Sequence, residues 1–149
     1  MNIRELQTND LEQLLLLYVH LHEVDESLPD RATVADLWQT IQADANLLYF
    51  GGFVGEQMTA SCNLALVPNL TRGCRPYGVI ENVVTHADFR RRGYGQAILR
   101  HALAAAWDND CYKVMLMTGR LNEQTFRFYE SVGFDRHSKQ AFIAKRPKL

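Results

Sequence analysis

Cysteine is scarce in this 149-residue chain, and the three present, Cys62, Cys74 and Cys111, are odd in number and far apart. That excludes a disulfide-stapled scaffold and the paired spacing of a zinc module, so no metal is expected and the thiols should be free in a reducing cytoplasm. Long apolar runs are missing as well. The stretch at 14–19 is too short to cross a bilayer, and the polar opening Met1-Asn2-Ile3-Arg4-Glu5 does not read as a signal peptide. A cytoplasmic protein without a membrane partner is the expectation. Neither sign of charge dominates, the formal net charge being -1. This argues against a nucleic-acid partner and requires any basic site to be local. Repeats, linkers and low-complexity segments are absent, and the length suffices to bury one core without a staple, so a single domain over 1–149 is expected.

What the chain does have is periodicity. A short strand at 2–6 precedes Thr8-Asn9-Asp10, which caps a helix carrying Leu11, Leu14, Leu15, Tyr18 and Leu21 at helical spacing. After Pro29, Thr33 and Asp36 make a capping pair for a second helix through Leu37, Trp38 and Ile41. Strand formers fill 47–54 and 58–67, with Gly55-Glu56 as the turn of an antiparallel hairpin, and a polar loop follows at 68–76. A strand at 77–85, a helix at 93–107 and a strand at 112–118 then make a crossover unit with two parallel strands. Asn122 opens a last helix through Phe126, Tyr129 and Val132, Gly133 ends it, and 140–145 is expected to return as a final strand.

The stretch Arg90-Arg91-Arg92-Gly93-Tyr94-Gly95 lies between a strand and a helix. There the first backbone N–H groups of the helix lack partners within it and the helix dipole adds positive charge, so the turn suits a diphosphate. Gly93 and Gly95 let the backbone approach an anion closely, and the arginines attract it from a distance. The plainer alternative is a tight turn with solvated arginines. A nucleoside-triphosphate loop needs Lys then Ser or Thr after the last glycine, where this chain has Gln96 and Ala97. A dinucleotide fingerprint needs a third glycine, where Ile98 stands.

Arg90, Gly93 and Gly95 match the hallmark of the GNAT superfamily of N-acetyltransferases, which the chain therefore resembles. A second element of that family appears downstream as Asn122, Phe128-Tyr129 and Gly133-Phe134. Ile80-Glu81-Asn82-Val83-Val84, together with Cys111-Tyr112-Lys113, is similar to the glucosamine-6-phosphate N-acetyltransferase branch. The resemblance implies an α/β (α+β) GNAT fold: a central mixed, mostly antiparallel sheet whose fourth and fifth strands are parallel, with helices on both faces. It implies acetyl-coenzyme A as cosubstrate, and it carries over the branch's fold and cofactor but not its sugar.

By the same resemblance, the main chain of Val83, Val84 and Thr85 bonds the pantetheine arm, and an amide such as that of Val84 polarises the thioester carbonyl. The amides of Arg91, Arg92, Gly93, Tyr94, Gly95 and Gln96 hold the pyrophosphate, and Arg90 is counted with them on the cofactor side. Tyr129 matches the family's acid for the leaving thiolate and sits with Asn122 on the coenzyme side, although Asn122 is equally a good helix cap. An amine of pKa roughly 10 must lose a proton before it attacks. Glu81 is the local candidate, placed by strand alternation on the face of Val79 and Val83, either as base or as a ligand of the acceptor or partner of an arginine, with ordered water as the other route for the proton.

The acceptor is read from the least informative segments. His20, His22, Glu23, Asp25 and Glu26 form an acidic, histidine-containing cluster that suits a cationic amine or is a solvated helix end, whereas Arg72 and Arg75 suit an anionic group on the acceptor or the 3′-phosphate of coenzyme A. The expected function is acetyl transfer to a small-molecule primary amine by direct attack in a ternary complex. The alternatives are a peptide or protein amine, or a noncatalytic acyl-coenzyme A sensor. A homodimer is left open.

Overall fold

Five strands line up in sequence order: β1 (Asn2–Glu5), β2 (Leu47–Val54), β3 (Gln57–Val67), β4 (Tyr77–Thr85) and β5 (Val114–Leu116). The first three pairings are antiparallel and the last, β4 with β5, is parallel, as a strand-helix-strand crossover requires. Gly55 makes the turn between β2 and β3 at φ +60°, a conformation that costs glycine nothing. The computed structural model describes residues 1–22 and 26–147. The chain divides into two compact units, Met1–Leu116 and Met117–Leu149.

In the first unit, the helices cover opposite faces of the sheet. Leu14 and Leu17 of α1 (Leu11–Tyr18) and Trp38 of α2 (Arg31–Ala43) share one core with Leu6, Phe53, Met58 and Val84. Trp38 meets Tyr49 edge to face at 5.4 Å. The crossover helix α3 (Tyr94–Asp108) packs on the other face, where His101 meets Phe50 at 4.9 Å and the Cys62 thiol reaches the Ile98 carbonyl at 3.9 Å. Ile98, Leu99, Ala102 and Ala106 of α3 are fully buried at helical spacing, and the two alanines let the helix lie close to the strands. Burial pushes the Cys62 thiol up to about 12, so it is a packing group.

The second unit is built around α4 (Glu123–Glu130), which Asn122 caps by accepting the Thr125 N–H at 2.9 Å. Arg136 clamps the helix from outside. It bonds Glu130 at 2.6 and 2.8 Å and Glu123 at 2.8 and 3.3 Å, and lies over the Phe126 ring at 4.6 Å. Gly133, at φ +102°, ends the segment.

Four sequence expectations need correction. The second helix begins at Arg31, two residues before the expected capping pair, because Asp30 accepts both the N–H and the hydroxyl of Thr33 at 3.1 and 2.7 Å. The first helix ends at Tyr18, and the chain tightens as His20 and Leu21 bond back to the carbonyls of Leu17 and Tyr18. The crossover ends in a strand of only three residues, Val114–Leu116, rather than the seven of 112–118. Residues 140–145 form no strand: Phe142 and Ile143 are 91% and 68% exposed, and strand propensity has no effect without a ladder to join.

Asp10 joins β1 to α1. Its carboxylate takes both arms of Arg4 at 2.6 and 2.8 Å and the Gln7 N–H at 2.7 Å. The bonds from Arg4 hold the Asp10 carboxyl below the usual carboxylate range. Its contribution is therefore present above the unfolded value of roughly 4 and is lost as pH falls through the lower folded value. Asp10→Ala should cost about 2 kcal/mol in urea unfolding at neutral pH. The wild-type excess over the variant should vanish in acid.

Candidate functional site

The sheet is interrupted where β4 meets β3. Ser61 pairs with Val84 and Asn63 with Glu81, so β4 spends one more residue than β3 across that interval. The surplus is a bulge at Asn82, whose backbone turns left-handed at φ +53° and whose amide donates to the Asn63 side chain at 3.0 Å. Asparagine tolerates that conformation better than any β-branched residue. On its other edge, β4 pairs with β5 only from Gly78 to Ile80. The remainder of β4, residues 81–85, thus presents backbone groups along an edge that no strand pairs among the described residues, where an extended ligand can add in a strand's place.

The bulge also corrects one expectation. Ser61 and Asn63 are two apart in a regular stretch and share a face, so their partners Val84 and Glu81 share one too. The companion of Glu81 and Val79 is therefore Val84, not Val83, because the extra residue breaks the two-residue alternation. Glu81 is exposed, Val83 and Thr85 are half-buried, and Val84 is buried against α1.

Beyond β4 a tight turn at Ala87–Phe89 leads into the glycine-rich segment. Arg91 takes φ +60° and Gly93 φ +80°, and Gly93 occupies the N-cap of α3 without any side chain to cap it. The first bond inside the helix runs from the Ala97 N–H to the Gly93 carbonyl, at 3.0 Å. The leading amides of the helix, from Tyr94 on, therefore point out of its N-terminal end, with Gly95 buried beneath them. Arg91 and Arg92 are exposed, and the Arg92 guanidinium rests 5.2 Å over Phe89, which stacks on Tyr94 at 6.2 Å. A side-chain-free N-cap, outward amides and flanking cations fit a diphosphate group.

Arg90 behaves differently from its neighbours. Its guanidinium donates to the Thr85 carbonyl at 3.2 Å and to the His20 carbonyl at 3.1 Å, tying the turn to the chain just after α1. The His20 ring lies 4.1 Å from that of His86. Glu23 and Asp25 of the acidic cluster lie outside the described residues, so the cluster is represented here by His20, His22 and Glu26.

The two loop arginines also separate. Arg75 pairs with Asp110, donating to its carboxylate at 3.0 Å and its carbonyl at 3.3 Å. Arg72 is exposed at φ +57°, with its guanidinium 6.0 Å from the Tyr112 ring, and Lys113 lies over Tyr77 and Tyr112 at 5.2 and 5.4 Å. In the second unit, Tyr129 contacts Phe128 at 4.9 Å and Phe134 at 6.3 Å, and Asn122 serves as the helix cap.

Sequence reasoning missed Asn63, Ser61 and His86. Ser61 Oγ is buried beside the bulge with no hydrogen-bond partner among the described residues. The available signal was polar side chains, Ser61, Asn63 and Asn82, set inside runs of strand formers.

Residues 10–134 match the profile described as the acetyltransferase (GNAT) family. Over 141 residues the chain is 31% identical to glucosamine 6-phosphate N-acetyltransferase of Trypanosoma brucei brucei, covering 94% of this chain and 92% of that protein. Over 94 residues it is 29% identical to N-alpha-acetyltransferase 30 of Xenopus laevis, covering 62% of this chain and 33% of that one. A solved structure from Agrobacterium tumefaciens str. C58, assigned to the acetyltransferases, superposes with a TM-score of 0.91 at 38% identity, covering 98% of this chain and 100% of that one.

The bulge gives a direct test. Asn82→Gly should retain it, whereas Asn82→Val should cost about 1–2 kcal/mol more in urea unfolding, because a β-branched residue pays the left-handed strain in full.

Proposed function

The chain belongs to the GNAT acetyltransferase family and is an N-acetyltransferase, and on that premise we propose that it moves an acetyl group from acetyl-coenzyme A to the primary amine of a small molecule. The observation that carries this reading is the succession of an open strand edge at 81–85 and a side-chain-free helix N-terminus at Gly93, a shape suited to an extended arm ending in a diphosphate. In this reading the protein is one acetyltransferase domain over 1–149 working in the cytoplasm. The free state of Cys62, Cys74 and Cys111 is consistent with that compartment.

The coenzyme supplies an activated thioester. The main chain of Val83 and Thr85 would hold its arm, one of their N–H groups meeting the carbonyl oxygen as charge develops there. The Val84 N–H faces β3 instead, because the His86 N–H bonds the Thr59 carbonyl and alternate residues point the same way. The amides of 91–96 would hold the pyrophosphate, with Arg91 and Arg92 adding attraction. Glu81, exposed on the face of Val84, would accept the proton that the ammonium must lose, directly or through water, or bind the ammonium itself. Tyr129 would deliver a proton to the departing thiolate. Asn122 uses its carbonyl oxygen for the helix cap, which leaves its amide N–H₂ for the coenzyme.

Glucosamine 6-phosphate, the substrate named for the trypanosomal relative, is the first acceptor to try. Arg72 suits its phosphate, while Arg75 serves the acceptor side by holding the loop through Asp110. A protein amine is the second reading, supported by the similarity to N-alpha-acetyltransferase 30 over 62% of the chain. A noncatalytic sensor would have no use for both Glu81 and Tyr129. The exposed Phe142 and Ile143 of the unpaired tail support a homodimer that covers them.

Calorimetric titration with coenzyme A, followed by thiol release from acetyl-coenzyme A over small amines and N-terminal peptides, tests the reading. Binding with amine-dependent release supports it, and no binding sinks it. Tyr129→Phe should lower kcat by about 100-fold with little change in coenzyme affinity. Unchanged turnover would remove the acid assignment. Gly93→Val, which forces a β-branched residue to φ +80°, should abolish coenzyme binding.

A further inference from the structure

We propose that Arg90 is a positioning residue that couples the coenzyme turn to the segment following α1, rather than a ligand of the pyrophosphate. The inference rests on the coenzyme reading of that turn. One guanidinium spans two carbonyls, that of Thr85 at the end of β4 and that of His20 beyond α1, at 3.2 and 3.1 Å. Both are charge-assisted bonds at the surface, and both fix main chain, not side chain. Two of its five N–H donors are thereby committed to main chain.

A ring sequence reinforces the tie. His20 packs on His86 at 4.1 Å, His86 on Phe89 at 5.5 Å, and Phe89 on Tyr94 at 6.2 Å, so contacts run from the end of α1 to the first residue of α3. His86 Nδ1 accepts the Asp88 N–H at 3.2 Å. His20 is faced by His86 from the end of β4, by Arg90 from the coenzyme turn and by Asp88 from the tight turn between them. Burial first, then His86 and Arg90, push the His20 imidazole below its ordinary value, against an opposing pull from Asp88. The folded arrangement thus prefers a neutral His20. Its contribution is complete above the unfolded value of roughly 6.5 and declines as pH falls below it.

Filling the turn immobilises residues 90–95, and through Arg90 that order passes to residues 19–22, which lead into the segment read from the sequence as the acceptor side. The coenzyme would thereby set the shape in which the acceptor is received.

Hydrogen exchange of the peptide covering 17–22, with and without saturating coenzyme A, tests the coupling beside calorimetry on the same proteins. In the wild type, coenzyme A should slow exchange of this peptide by about tenfold, the worth of one charge-assisted hydrogen bond. Arg90→Ala should bind coenzyme A within about threefold of wild type yet lose that slowing, and Arg90→Lys should restore part of it. His20→Phe keeps the ring and the carbonyl, so it should keep the slowing at neutral pH but lose its decline below about pH 6.5. Slowing that persists in Arg90→Ala overturns the inference, as does a loss of coenzyme affinity of about 30-fold or more, which would put the guanidinium on the phosphates. A flat wild-type titration instead removes the coenzyme reading, and the inference with it.

Discussion

An antiparallel ladder between β3 and β4 would normally consume every backbone group along its length. Here one surplus residue at Asn82 breaks it opposite Cys62, just past the point where the parallel pairing with β5 has already stopped at Ile80. The two interruptions together free an edge of backbone in the middle of a sheet whose flanking positions are buried. The rest of the first unit maintains this opening. Val84 is anchored in the core with Leu14, Leu17 and Phe53, and Asn63 receives the Asn82 amide, so the bulge is held from both sides. Such a local departure from regular pairing survives only where surrounding packing over-determines it.

The turn that follows uses the same economy of side chains. Gly93 caps α3 with nothing but backbone, and the apolar stripe from Ile98 to Ala106 fixes the helix against the sheet, so its N-terminal amides have a defined direction. Charge near them is divided by task. Arg92 is braced on Phe89, whereas Arg90 bonds two carbonyls. Three adjacent residues of one chemical type therefore cannot be assigned one role from their identity.

Much of this is legible in the sequence by itself. The order of elements, the hairpin at Gly55, the crossover around α3 and the cap at Asn122 all follow from periodicity and from residues with few alternatives, and the two spaced motifs were enough to name the family. What was not legible depends on tertiary context. Val83 does not share the face of Glu81, as simple alternation predicts, because alternation assumes no extra residue, and nothing in Asn82 by itself announces a bulge. Thr33 and Asp36 looked like a capping pair, but Asp30 reaches Thr33 first. Residues 140–145 carry the composition of a strand and find no ladder among the described residues, since a strand exists only in its pairing. The roles of Glu81, Tyr129 and the loop arginines rest on chemistry and resemblance.

The central claim is that the open edge of β4 and the glycine-rich turn form one continuous coenzyme track. Amide chemical-shift mapping of the labelled protein during titration with coenzyme A addresses it residue by residue. The account predicts large shifts at 83–85 and 91–96 in the same titration, with β1 and β2 unmoved. Shifts confined to the turn, with residues 83–85 silent at saturation, would contradict it, because the bulged strand would then play no part in binding.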